Sequence, residues 1–201
     1  MNRDEKLALF LGMLSGDGCL SIKYSGEGYR DYPINLCNTD KNLVEMFRRL
    51  FCDLFEIEGK IYSYKRYNRK EIWHFTKYSV KVVKYLRSLG FPEGVKRDVL
   101  RVLPIINNGT KEQKIAFMNG LIITDGCIKN SGRIVFHLGS KLFLHDVSKL
   151  LLEITGIERP VKEFVQREIY KSYQLSLNKT EGMKLLLNMP TWDNGTPTVL
   201  S

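Results

Sequence analysis

Two aspartates, Asp17 and Asp125, close two similar runs of sequence: FLGMLSGDG from Phe10 to Gly18 and MNGLIITDG from Met118 to Gly126. Each run is apolar, has glycine at its third position, ends in Asp-Gly and is followed by a cysteine (Cys19, Cys127). A carboxylate at the C-terminal end of a helix faces partly negative carbonyls and costs roughly 0.3–1 kcal/mol. A chain that does this twice calls for something positive at those ends. Gly12 and Gly16, like Gly120 and Thr124, lie four residues apart on one helical face, and small residues at that spacing let two helices approach closely. If the two runs pack on each other along these faces, the aspartates emerge side by side, and each raises the pKa of the other unless a cation neutralises them. Hard oxygen ligands favour magnesium over zinc. Paired metals held by two carboxylates suit hydrolysis of a phosphodiester, one activating water and the other stabilising the leaving oxygen.

The elements that must position these acids follow from periodicity. Lys6–Ser15 is apolar nearly all round, which predicts a buried helix stopped by the glycines around Asp17. Cys19–Tyr24 and Tyr32–Cys37 alternate as strands, and Thr39 or Asp40 caps a helix to about Phe55. Lys60–Tyr67 and Lys70–Tyr78 read as a second hairpin, Ser79–Leu89 as a helix ended by Gly90, and Val95–Asn107 as a further helix. After Asn107-Asn108-Gly109 the order restarts: Lys111–Thr124 is the second apolar helix, followed by strands Cys127–Lys129 and Arg133–Gly139. Helix Lys141–Thr155, strands Arg159–Gln166 and Tyr170–Leu177, and a short helix Glu181–Asn188 complete the pattern. The expectation is an α+β protein of two pseudo-symmetric αββαββα halves, residues 1–107 and 108–201, each with a four-stranded antiparallel sheet.

Composition narrows the partner. The 31 Lys and Arg against 22 Asp and Glu leave a formal charge of +9, which points to a polyanion, nucleic acid before anionic membrane. No apolar run reaches a membrane span, and the N-terminus is not a signal peptide. The four cysteines form no Cys-x-x-Cys pair, so zinc and a disulfide framework are disfavoured, and buried reduced thiols in an intracellular protein are expected.

With these residues in view, the sequence resembles the LAGLIDADG homing endonucleases in the form that carries both motifs on one chain. FLGMLSGDG and MNGLIITDG fit the nine-residue motif at its Gly, its apolar positions and its Asp-Gly, and the element order fits over nearly the whole chain. GVKRDVLRVLPIINNGTKEQKIAFMNGL looks like the family's stretch before its second motif. The resemblance implies motif helices forming the central interface, two sheets laid in the DNA major groove, and cleavage of both strands at acids that bind divalent metal over the minor groove. It makes Asp17 and Asp125 the metal ligands, with the carbonyls of Gly16 and Thr124 as helpers, magnesium as the cofactor, and manganese or calcium as substitutes. Lys96 stands where the family is often basic. Asn38 is the best match for the family's water-positioning Gln; its counterpart falls near Leu138 or Gly139, neither of which can take that role. Lys96 likewise has only loose second-half candidates, Lys179 and Lys184.

Strand alternation assigns a polar row to each hairpin. The rows contain Ser21, Lys23 and Asn35; Lys65, Arg66, Arg69, Lys70, His74 and Thr76; Lys129, Asn130, Arg133 and His137; and Lys162, Gln166, Arg167, Lys171, Ser172 and Gln174. Arg and Lys suit guanine edges, Asn and Gln suit adenine, and all can hold phosphates. Two sheets would cover on the order of 20 bp of double-stranded DNA. The expected protein is a monomeric, free-standing, intron-encoded endonuclease. An intein origin is disfavoured, because splicing blocks are lacking. The alternatives are a maturase that binds intron RNA and a DNA-binding protein that does not cut.

Overall fold

The computed structural model describes residues 1–21, 23–24, 30–65, 67, 70–166 and 170–186. The chain runs α1 (Arg3–Gly16), β1 (Gly18–Leu20), β2 (Lys23–Tyr24), β3 (Arg30–Asp31), β4 (Pro33–Asn38), α2 (Lys41–Phe55), β5 (Lys60–Tyr64), β6 (Ile72–Tyr78), α3 (Val80–Ser88) and α4 (Pro104–Asn107). It continues with α5 (Lys111–Asp125), β7 (Gly126–Ile128), β8 (Ile134–Leu138), α6 (Lys141–Thr155), β9 (Lys162–Gln166), β10 (Tyr170–Leu177) and α7 (Lys179–Leu186).

Both central helices start on capping boxes. Asn2 and Glu5 exchange hydrogen bonds at the head of α1, as Thr110 and Gln113 do at the head of α5, so the first free N–H groups of each helix are satisfied by its own side chains. Neither helix has a polar face through its middle. Leu7 to Ser15 in α1 and Ala116 to Ile123 in α5 are all buried. Such helices must be enclosed by protein, and here they pack on each other with the remaining elements outside them.

Each half builds a four-stranded antiparallel sheet of the same topology, β1-β4-β6-β5 and β7-β8-β10-β9. The registers correspond closely. Leu36 and Phe136 oppose Gly18 and Gly126; Asn38 and Leu138 oppose Trp73 and Tyr173; Tyr62 and Lys162 oppose His74 and Gln174. Outside the first strand, equivalent residues are therefore 100 apart in number. One face of each sheet packs inward. In the first half, Phe10 of α1 stacks on Phe47 at 4.7 Å between centroids, and Phe47 and Phe51 of α2 meet Phe75 of β6 at 5.2 and 5.1 Å. Each such buried ring contributes about 1.5–3 kcal/mol relative to exposure.

Several sequence expectations are corrected. Val95–Asn107 is not one helix, because only Pro104–Asn107 is helical. Val95 and Val99 are exposed while Leu100, Val102 and Leu103 are buried, which no single helical face allows, and Pro104 holds Leu103 extended (ψ 146°) by clashing with helical geometry before it. The strand expected over Cys19–Tyr24 breaks after Leu20. Ser21 N–H still donates to the Pro33 carbonyl at 3.2 Å, but Pro33 has no N–H to return, and Lys23–Tyr24 instead pairs with Arg30–Asp31 as a separate ribbon. The hairpin strands expected at 60–67 and 70–78 are shorter, ending at Tyr64 and starting at Ile72. The last helix starts at Lys179, two residues before the expected Glu181, and is described to Leu186; its expected end at Asn188 lies outside the described residues. Among the described residues, no helix is long and apolar enough to cross a membrane.

Candidate active site

Glycine contacts bring α1 and α5 together. A Cβ at Gly12 would fall on the Phe117 carbonyl oxygen and within 3.0 Å of the Gly120 Cα, and one at Gly120 would meet the Leu9 carbonyl and lie 2.7 Å from the Met13 nitrogen. Backbone therefore touches backbone at the crossing. One turn further on, a Cβ at Gly16 would collide with the Thr124 side chain and stand 3.2 Å from Asp125 Oδ2. The end of α5 thus rests on Gly16, and Asp125 lies beside the residue that precedes Asp17. Thr124 keeps its hydroxyl inside its own helix, donating to the Gly120 carbonyl at 3.0 Å.

The two carboxyls have unequal surroundings. Asp17 caps α1 and accepts a hydrogen bond from the Asn38 amide at 2.6 Å. Asn38 is itself pinned, because its Oδ1 accepts from the Asp40 N–H at 2.8 Å. Burial raises the Asp17 pKa, against the lowering effects of the Asn38 hydrogen bond and the Lys96 charge. Asp125 is pushed up to about 6, by burial first and by the Asp17 charge second, while Lys96 pulls it down. For Asp125 the effect is that of a like charge held near it in a site of limited water, whereas the Asp17 shift comes from burial, opposed by Asn38 and Lys96.

Lys96 provides the positive group at the helix end. Its ammonium donates to the carbonyls of Leu14, Ser15 and Gly16 at 3.0, 2.8 and 2.6 Å. It therefore satisfies the last turn of α1, whose own last turn contains no basic residue, and offsets the negative end of that helix. Burial lowers its pKa to about 8, although Asp125, Cys19 and Asp17 all favour its charged form. The Gly16 carbonyl, expected to help hold metal, is thus already an acceptor for Lys96.

The second half departs at the equivalent place. Leu138 stands where Asn38 does, and an open pocket of about 430 Å³ adjoins Asp125, lined in part by Lys96, Arg97, Leu138, Gly139, Phe143 and Lys171. Arg97 crosses into this half, donating to the Lys171 carbonyl at 2.8 Å and lying over Gly139, where a Cβ would be 3.0 Å from its Nε. Sequence reading missed Arg97; its only signal was adjacency to Lys96. It also missed the anchor of this segment, Asp146, which accepts from Arg101 at 2.5 and 2.8 Å and from the Val102 N–H at 3.2 Å. Lys179 packs by Gly132 and Lys184 lies on α7, so neither is a counterpart of Lys96.

The residues present fit a divalent cation of the magnesium class. Two desolvated carboxylates are a hard, oxygen-only donor pair. Among the described residues, no group of three or more His, Cys, Asp or Glu is placed to hold a metal. Magnesium is suited to one or two carboxylates completed by water and phosphate oxygens, whereas a structural zinc site needs four dedicated ligands.

The expected polar rows are partly assembled. In the first sheet Asn35, His74 and Thr76 share the outward face, Asn35 opposite Thr76 and Cys37 opposite His74. Ser21 follows β1, and Lys65 and Lys70 are exposed at the hairpin end. In the second, His137, Lys162, Ser172 and Gln174 share a face by register, and Lys129, Asn130 and Arg133 form an exposed turn. Lys171 does not belong to that row. It follows the opposite parity to Ser172 and Gln174, pairs with Glu163 at 3.2 Å and lines the pocket by Asp125. Lys23 lies in the β2–β3 ribbon and Gln166 at the end of β9, while Arg66, Arg69 and Arg167 fall outside the described residues.

Comparison with known proteins gives a consistent picture. The homing endonuclease I-DmoI, in a structure of its mesophilic variants, is similar at a TM-score of 0.71 and 20% identity over 94% of this chain and 96% of that one. I-DmoI in complex with DNA and Ca gives 0.70 and 19% over 96% and 93%. Full-length DUF199/WhiA from Thermatoga maritima gives 0.61 and 12% over 96% of this chain and 57% of that one. At these identities the likeness is one of fold. By sequence, an A-type ATP synthase protein of Pyrococcus abyssi is 29% identical over 161 residues, covering 80% of this chain, which spans only 14% of that protein's length. The LAGLIDADG-like domain matches residues 4–90 and 112–187, one copy in each half. By that match and by its two-sheet architecture, the chain belongs to the LAGLIDADG family.

Proposed function

We propose that this chain is a monomeric, site-specific endonuclease that hydrolyses both strands of a DNA duplex with the help of divalent metal. The observation that carries the reading is the delivery of Asp17 and Asp125, from the ends of two helices in backbone contact, to one place between two four-stranded sheets. The fold similarity to I-DmoI, whose structures include complexes with DNA and Ca and with DNA and Mn, supports both partner and cofactor. When bound, a magnesium ion would supply a water of lowered pKa and charge for the leaving oxygen.

In this reading the chain's own residues have separate tasks. Asp17 and Asp125 hold the cation. Asn38 orients Asp17 and, with its amide directed at that carboxylate, is the residue best placed to position solvent on the first side. Lys96 fixes the end of α1 and lends positive charge where a phosphate would sit, and Arg97 does so toward the second half. Ser21, Asn35, His74, Thr76, His137, Lys162, Ser172 and Gln174 form the rows that face the duplex. The genetic setting we infer is that of a mobile element, intron-encoded in the simplest case. A relative in which the matching stretch makes up 14% of a much longer protein is in keeping with a mobile module, carried there within another protein's sequence, and bears on mobility rather than on an intron.

The test is incubation with the uninterrupted host gene in magnesium and in chelator, for wild type and an Asp17→Asn, Asp125→Asn double variant. Wild type in magnesium is expected to give one double-strand cut and the other three conditions none. Binding without cutting in all four would favour the second reading, a DNA-binding protein that does not cleave, which the shared fold with DUF199/WhiA keeps in view.

A further inference from the structure

Equivalent places on the outward faces of the two sheets carry different chemistry. In the first sheet Tyr62 opposes His74, and His74 opposes Cys37. Tyr62 and Tyr64 stack on the imidazole with centroids 5.2 and 5.0 Å away, yet remain 51% and 38% exposed. In the second sheet the same four places hold Lys162, Phe164, Gln174 and His137.

Most polar atoms of the first row are engaged with one another, the exception being His74 Nε2, which is buried without a hydrogen-bond partner among the described residues. The Thr76 hydroxyl donates to Asn35 Oδ1 at 2.8 Å, and the Asn35 amide donates to Cys19 Sγ at 3.9 Å. The Tyr62 and Thr76 hydroxyls lie 3.4 Å apart, and Cys37 Sγ and His74 Nδ1 are 2.7 Å apart. His74 Nε2 is buried under the rings. What this row offers outward is therefore aromatic surface, with Lys60, Lys65 and Lys70 at its margins.

In an intact duplex the bases are stacked, so a side chain in the major groove meets only their edges. The apolar group on those edges is the 5-methyl of thymine. We propose that the first sheet selects its half of the target through thymine methyl groups packed on Tyr62 and Tyr64, whereas the second sheet selects its half by hydrogen bonds from Lys162, Gln174 and His137. The inference rests on the DNA-binding reading above.

The experiment uses the full-length Asp17→Asn, Asp125→Asn variant to select duplexes from a pool randomised over on the order of 20 bp. Repeating the selection with Gln174→Ala and Lys162→Ala added assigns the second half-site as the one whose preference relaxes. Thymines in the selected duplex are then replaced by deoxyuridine, one half-site at a time. Replacement in the first half-site is expected to weaken binding about fourfold per methyl lost, the worth of one buried methylene, and replacement in the second less than about twofold except at the one place that meets Phe164, the exposed phenyl ring of that row. A Tyr62→Ser, Tyr64→Ser variant is expected to lose the difference. A first half-site selected without thymine, or one indifferent to deoxyuridine, overturns the proposal and leaves DNA binding standing. A pool from which no duplex is enriched overturns the DNA reading itself and this inference with it.

Discussion

The Lys96 ammonium lies 2.6 Å from the Gly16 carbonyl oxygen, so the segment that joins the two halves also closes the helix that delivers Asp17. The same nitrogen satisfies Leu14 and Ser15. Lys96→Met would leave three carbonyls of a half-buried turn without that donor and leave the two carboxyls without their nearest cation. Losing hydrogen bonds to a charged group costs roughly 1.5–3 kcal/mol, and a loss of that size is expected in urea unfolding, together with a fall in kcat. Unchanged stability would mean that water replaces the ammonium fully.

The linker is held from the other side by Asp146, whose carboxylate is 10% exposed and accepts three hydrogen bonds from Arg101 and Val102. Asp146→Ala strands the buried Val102 N–H and releases the exposed Arg101 guanidinium to water. Stability should fall by about 1–3 kcal/mol, and amide exchange should quicken across residues 95–103 more than in α2. The readout is hydrogen exchange at both places.

Gly12 and Gly120 sit where helix backbones touch. Alanine at either adds a carbon against a carbonyl oxygen, an obstacle that cannot rotate away as a flexible side chain could. Each substitution should cost about 1–3 kcal/mol. Because the same crossing sets the spacing of Asp17 and Asp125, nuclease activity should fall by more than the fraction unfolded explains. Thermal melts paired with single-turnover cleavage separate the two effects.

The raised pKa of Asp125, about 6, makes a signed prediction for the metal-free protein. The folded state holds this proton more tightly than the unfolded chain, whose carboxyl titrates near 3.9. The group therefore lowers stability above pH 6, and the penalty disappears as pH falls from about 6 toward 4. In chelator, Asp125→Asn should be more stable than wild type at pH 8, with the gain shrinking below pH 6. Metal affinity should move the opposite way with pH, weakening below about 6 because the cation then competes with a proton. Equal melts of the two proteins at every pH would show that the carboxyl is not desolvated as described.

Local pattern carried much of this molecule. Capping residues, apolar runs and alternation were enough to foresee two halves of one α+β plan, the helices Lys41–Phe55 and Lys141–Thr155, and the strand Tyr170–Leu177. The paired acids stood out because an aspartate at a helix end is costly alone and the cost recurs. Residues 95–103 do not form the helix expected of them for a physical reason: Leu100, Val102 and Leu103 are buried while Val95 and Val99 are exposed, so the apolar spacing of the segment reports no single face.

What the sequence by itself determined was the repeat, the sign of the charge and the two acids, because each is read from residue identities and their spacing without any knowledge of which residues meet. Only the tertiary structure decided what surrounds those acids. Asn38 comes to Asp17, Leu138 takes the equivalent place in the second half, Lys96 caps α1 from 80 residues away, and Arg97 crosses to the Lys171 carbonyl. Contacts of that separation depend on register and on the close approach of two glycine-bearing helices, and neither quantity is encoded in any one stretch of the chain.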